Sequence, residues 1–166
     1  MAQHNFSVLI AEDDKDDIYL LKSLLDEHFP DWDYQFVTTG EAVLTYLANR
    51  TATYRTATYR TATYRTATYP FMDVAPIDVL LLDIHLPRLN GLQVLEAIRE
   101  TPAYDSLAVI GYSADEEYQT IERFMKLGAN AYLNKSNTHE GVINMLDKLP
   151  ELVEWINQPL AKNKEY

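Results

Sequence analysis

The stretch Ile77-Asp78-Val79-Leu80-Leu81-Leu82-Asp83 holds the most hydrophobic run of the chain, Val79–Leu82, between two acids. Four apolar residues in a row, with no polar alternation, suit a strand covered on both faces, as in the centre of a parallel sheet. An earlier run, Val8-Leu9-Ile10-Ala11, has the same character and ends in Glu12-Asp13-Asp14. In an open parallel sheet the carboxyl ends of the strands form the ligand-binding rim, and adjacent strands lie about 5 Å apart. Acids that close two such strands crowd into one place. Like charges so close repel unless a proton or a hard divalent cation sits among them, and an all-oxygen ligand set points to magnesium.

Working outward, helical and extended patterns alternate. Ile18, Leu21, Leu24, Leu25 and Phe29 recur at three- and four-residue steps until Pro30, which predicts a first helix. Tyr34–Val37 reads as an edge strand, and a short helix is expected from about Gly40 to Asn49. After Val79–Leu82, the residues Pro87, Asn90 and Gly91 make a loop, and Leu92, Leu95 and Ile98 give the inner stripe of a third helix. Leu107–Tyr112 is the fourth strand. Ser113 or Asp115 is expected to cap a helix that carries Ile121, Phe124 and Met125 and stops at Gly128. Ala131–Leu133 is a short fifth strand, and Val142, Ile143, Met145, Leu146 and Leu149 mark a last amphipathic helix. Five strand–helix alternations predict a doubly wound α/β fold, a five-stranded parallel sheet with helices on both faces joined by right-handed crossovers. Tyr19, Tyr118, Phe124 and Trp155 read as packing residues.

Composition narrows the function. A chain of 166 residues with 47% hydrophobic content can bury one core. A net charge of −11 argues against nucleic acid as the partner. Without cysteine there are no disulfides, thiolate zinc sites or thiol nucleophiles, and His4, His28, His85 and His139 are too scattered for a local metal motif. No run is long enough to span a membrane or to serve as a signal sequence, so a cytoplasmic protein without membrane partners is expected.

Residues 50–69 interrupt the alternation with four identical copies of Arg-Thr-Ala-Thr-Tyr. A period of five gives tyrosine no constant face in a helix, where it advances about 140° per copy, nor in a strand. The segment reads as an expanded surface loop, since lengthening a loop costs little free energy. Its functional alternative is an arm in which Arg50, Arg55, Arg60 and Arg65 with Tyr54, Tyr59, Tyr64 and Tyr69 hold an acidic partner.

The residues able to do chemistry gather on the carboxyl side of the expected sheet. Glu12 and Asp13 follow strand one, Asp83 follows strand three, Ser113 ends strand four and Lys135 follows strand five. A carboxylate can attack a phosphoryl group to give an acyl phosphate, with magnesium shielding the repulsion between anions. Ser113 can donate a hydrogen bond to one phosphoryl oxygen, and Lys135 can pair with another.

The ordered segments Val8-Leu9-Ile10-Ala11-Glu12-Asp13-Asp14, Leu81-Leu82-Asp83-Ile84-His85-Leu86-Pro87-Arg88-Leu89-Asn90-Gly91, Gly111-Tyr112-Ser113-Ala114 and Gly128-Ala129-Asn130-Ala131-Tyr132-Leu133-Asn134-Lys135 resemble the response-regulator receiver domain of two-component signalling. The resemblance spans residues 6–149 and implies a flavodoxin-like sheet with strand order 2-1-3-4-5. It implies that Asp83 accepts phosphate from a sensor histidine kinase or phosphotransfer protein. Magnesium would be held by Glu12, Asp13, Asp83 and the backbone carbonyl of His85. Ser113 and Tyr132 would be the switch residues that report phosphorylation, and Lys135 the family's lysine. The Glu12-Asp13-Asp14 run offers two registers for the acidic pair; Glu12 with Asp13 lies nearer the strand end. His85 and Asp115 fall where receivers tune hydrolysis. Lys135-Ser136 stands where the family has Lys-Pro with a cis bond, and with the longer tail it resembles single-domain regulators paired with bacterial phytochrome kinases.

On that resemblance the chain is a receiver at 1–149, interrupted by the insertion at 50–69, with a C-terminal extension at 150–166 and no output domain. It would be a stand-alone phosphorelay component that signals to an unknown downstream protein. It would not be an enzyme beyond self-phosphorylation and slow autodephosphorylation. Trp155 and its neighbours would extend the last helix into a homodimer contact. The alternative is a phosphate-independent interaction module that works through the repeat arm. A haloacid-dehalogenase-type phosphatase would carry its nucleophile first and its acidic pair last, the reverse of the order here. A flavodoxin-like nucleotide binder would need a phosphate loop where this chain places five acids within residues 12–17.

Overall fold

The computed structural model describes residues 5–50, 77–114, 116–135 and 138–158. Five strands, β1 (Ser7–Ala11), β2 (Asp33–Val37), β3 (Val79–Leu82), β4 (Ala108–Ser113) and β5 (Ala131–Asn134), form one parallel sheet in the order β2-β1-β3-β4-β5. The doubly wound α/β fold expected from the alternation is the one observed. β3 is wholly buried and central, as its unbroken apolar run demands, whereas β2 pairs with β1 alone and alternates in burial.

Helices α1 (Lys15–His28), α2 (residues 40–50), α3 (Gly91–Arg99), α4 (Tyr118–Lys126) and α5 (His139–Asn157) follow the strands in turn. Alternate strand residues feed two cores. Val8, Ile10, Val79, Leu81, Ala108 and Ile110 pack with Leu21 and Leu25 of α1 and with Val142, Leu146 and Val153 of α5. Leu9, Leu80, Leu82 and Val109 face the other way, onto Val43 of α2, Val94 and Ile98 of α3 and Phe124 of α4. Each of these fully buried aliphatic side chains contributes about 1.5–3 kcal/mol of transfer free energy, so the sheet is held from both sides.

Two local expectations change. Ser113 does not cap α4: it is the last residue of β4, and the helix opens after Glu117, whose side chain makes no capping hydrogen bond; Asp115 lies outside the described residues. The extension of the last helix expected at Trp155 and its neighbours is observed: α5 runs through Pro150 as one 19-residue helix. Proline lacks only its own N–H, and the apolar stripe continues past it through Val153. Of the aromatic residues read as packing, Phe124 is fully buried, while Tyr19, Tyr118 and Trp155 are mostly exposed. A short 3-10 helix at Pro102–Tyr104 adds to the expected elements. Repeat residues 51–69 and the Lys135-Ser136 peptide bond lie outside the described residues; Arg50, at the repeat's start, donates to the Tyr46 hydroxyl. No helix among the described residues is long and apolar enough to cross a membrane.

Candidate functional site

Because all five strands run the same way, their carboxyl ends share one rim. β1 delivers Glu12 and Asp13 there, β3 delivers Asp83, β4 ends in Ser113 and β5 leads into Lys135, whose amide donates to the Ser113 carbonyl at 3.1 Å. Glu12, Asp83 and Ser113 are the buried polar residues of this rim, at 1%, 5% and 1% exposure. Asp13 is exposed.

The neighbouring Asp14 has a different task. Its side chain accepts hydrogen bonds from the Asp16 and Asp17 amides and so caps α1. Between the two registers open to the acidic run, the geometry therefore leaves Glu12 and Asp13 beside Asp83. One carboxylate oxygen from each of the three lies within 4.8 Å of the others.

Lys135 reaches into this cluster from the opposite side. Its ammonium donates to Asp83 Oδ2 at 2.8 Å and to Asp17 Oδ2 at 2.9 Å, and lies 2.6 Å from Glu12 Oε2. The last contact is a short, buried ion pair. Asp83 also receives the His85 amide at 3.1 Å on Oδ1, and the Ser113 hydroxyl. The His85 side chain itself is exposed.

Electrostatics separate the two buried acids. Burial outweighs Lys135 at Glu12 and raises its carboxyl above the ordinary glutamate value. Burial would raise Asp83 as well, but the donors Lys135, Ser113 and His85 together prevail and hold it below the ordinary aspartate value, as a carboxylate. Lys135 is held charged: burial opposes its proton, and the surrounding Asp83, Glu12 and Asp17 win. Its ammonium lies 5.9 Å from the ring centroid of Tyr112, whose hydroxyl is pushed up to about 12, first by burial and then by Asp17. Asp83 is thus ionised, with carboxylate oxygens of Glu12 and Asp13 beside it. An all-carboxylate donor set, with one oxygen each from Glu12, Asp13 and Asp83 within 4.8 Å of the others, fits a hard divalent cation.

Two glycines make the site compact. A Cβ on Gly91 would come within 2.3 Å of the Asp83 carbonyl oxygen, so only glycine lets α3 begin against the end of β3. On β4 a Cβ at Gly111 would meet the Tyr132 ring at 2.6 Å and Phe124 at 2.8 Å. Tyr132 lies on β5 beside Gly111, half-buried, with its ring edge-on to Phe124 at 6.3 Å between centroids. It is not part of the carboxylate cluster but stands between that rim and α4.

Two participants were not singled out from the sequence. Asp17 lay unremarked within the acidic run, and its partner Lys135 is 118 residues away. Arg99, at the end of α3, donates to the carbonyls of Gly128, Tyr104 and Leu107 and to Asn130 Oδ1, tying the α4–β5 turn to the start of β4. A basic residue in a last helical turn was the only local signal for it.

Comparison with known proteins agrees with the fold. The crystal structure of the phosphorylated cyanobacterial phytochrome response regulator RcpA is similar with a TM-score of 0.69 at 20% identity, covering 91% of this chain and 95% of that one. Response regulator RPA3017, from red light signaling of R. palustris, is similar with a TM-score of 0.65 at 26% identity, covering 87% and 90%. The nitrate/nitrite response regulator NarL of Escherichia coli K12 is 33% identical over 69 residues, which is 42% of this chain and 31% of NarL. The match thus spans about a third of that relative's length. The family model described as response regulator receiver domain matches residues 42–147, a segment that contains Asp83, Ser113, Tyr132 and Lys135. More than half of the sequence matches that model and the sheet order agrees with it, so the chain belongs to the response regulator receiver domain family of two-component signalling.

Proposed function

We propose that Asp83 is the phosphoacceptor of a magnesium-dependent phosphorelay, charged by a sensor histidine kinase or a phosphotransfer protein. The observation that carries this reading is the pairing of a buried, ionised Asp83 with the Lys135 ammonium at 2.8 Å, beside acids whose oxygens lie within 4.8 Å. A carboxylate oxygen of Asp83 attacks the phosphorus of phosphohistidine. The P–N bond breaks, its electron pair stays on the imidazole nitrogen, and an acyl phosphate forms. Lys135 pairs with one phosphoryl oxygen and the Ser113 hydroxyl donates to another. Glu12, Asp13, Asp83 and the His85 carbonyl would hold magnesium, which would neutralise charge gathered at the rim.

The protein acts as a signalling switch, with autodephosphorylation as its only turnover. Ser113 and Tyr132 carry the change toward α4 and β5. The red-light setting named for RPA3017, at 26% identity, supports a phytochrome-type kinase as the donor. A cytoplasmic location belongs to the same reading.

Intact-mass spectrometry after incubation with acetyl phosphate tests it. A single, labile, magnesium-dependent phosphate adduct is expected on the wild type and not on Asp83→Asn. An adduct that persists in the variant, or none in either protein, would overturn the assignment.

A further inference from the structure

Lys135 is claimed by one more anion than the acceptor chemistry requires. Asp17, in the first turn of α1, accepts from its ammonium at 2.9 Å, almost as close as Asp83 at 2.8 Å. The position is built in. Asp14 caps the helix through the Asp16 and Asp17 amides, which fixes the first turn, and a carboxylate there is favoured by the helix dipole. The Asp17 side chain is 38% exposed, whereas Lys135 is 12% exposed, so the pair bridges solvent and the buried rim.

An ammonium has three N–H groups, and three carboxylates surround this one within 2.9 Å. A phosphoryl group on Asp83 brings further anionic oxygens that need the same donors. On the acceptor reading, we infer that Asp17 is a positioning residue that restrains Lys135: it competes with the phosphoryl group for the ammonium, which favours the divalent cation and disfavours the phosphorylated state. The sign follows from charge alone. A unit negative charge next to Lys135 attracts a cation entering the cluster and repels an anion arriving at the same rim. A residue that merely held the helix in place would, when removed, weaken both ligands together.

Calorimetric titration of the full chain separates these cases. Asp17→Asn keeps the size and an oxygen acceptor while removing the charge. It is expected to bind beryllofluoride about threefold to tenfold more tightly at saturating magnesium, and magnesium alone about twofold to fivefold more weakly. Asp17→Glu, which restores the charge, should return both affinities toward wild type. Asp16→Asn, an exposed charge one residue away, should move both far less. Loss of affinity for both ligands in Asp17→Asn, or equal shifts in Asp16→Asn, would overturn the inference, as would no change in either affinity. Failure of the wild type to bind beryllofluoride would instead remove the acceptor reading on which it rests.

Discussion

The two ends of the sheet solve opposite problems. At the foot, where the strands begin, Trp32 stacks against Phe6 and Phe29 at 4.6 Å and 4.5 Å between ring centroids, and the Asp78 side chain accepts the Ser7 amide at 2.7 Å. At the rim, a strand's length away, the same strands deliver carboxylates into a buried cluster held by one ammonium. The foot gathers apolar area and satisfies its polar groups. The rim concentrates like charge: Glu12, Asp17 and Asp83 all lean on the Lys135 ammonium. On the proposed function the foot serves stability and the rim reactivity, and substitutions at the two ends should separate those quantities.

The largest contrast is expected from Lys135→Met, which preserves most of the volume and removes the charge. The rate of phosphate uptake from acetyl phosphate, followed by mass spectrometry, should fall about a hundredfold, the scale of losing one electrostatic stabiliser of a transition state. Next comes Trp32→Ala at the foot. It should cost about 2–3 kcal/mol in urea unfolding, below the full value for a buried aromatic because Trp32 is only partly buried, and leave the uptake rate unchanged. If Trp32→Ala slowed uptake as much as Lys135→Met does, the division of labour between the ends would be wrong.

Glu12→Gln sharpens the comparison from the rim side. Burial raises the Glu12 carboxyl above its unfolded value, so ionisation opposes folding: stability is highest with the acid protonated and falls as pH rises from about 4.5 through the folded value. In magnesium-free buffer near neutral pH the Gln variant should therefore unfold at higher urea than wild type, with the gap closing below about pH 4.5. A lower urea midpoint at neutral pH would show that the Lys135 ion pair outweighs burial. The smallest effect is expected from Trp155→Ala on α5, where a 65% exposed side chain should change stability by less than about 0.5 kcal/mol. Light scattering of the same variant tests the homodimer contact proposed from the sequence, which requires wild type to associate and the variant to dissociate.

Most of the fold was legible because its strands are unbroken apolar runs and its helices carry regular stripes. Val79–Leu82 begins and ends where the sequence placed it. The acid, hydroxyl and lysine of the rim were legible for a related reason, since in a parallel sheet whatever follows a strand falls at the same edge. The missed features have no local signature. A pair 118 residues apart, such as Asp17 with Lys135, cannot be read from periodicity. The Arg99 clamp depends on carbonyls, which every residue possesses. The start of α4 was misplaced because Ser113 is a good capping residue and also a good partner for a carboxylate, and tertiary structure commits its hydroxyl to Asp83.

The direction of the strands also decides what the five-residue repeats can affect. α2 descends from the rim, and β3 starts again at the foot with Ile77 and Asp78 beside Ser7. The connection that holds the repeats therefore joins the sheet at its base, with about 20 Å of extended chain between Ile77 and Asp83. Copies of the pentapeptide can be gained or lost at that junction without altering the register of β3 against β1 and β4.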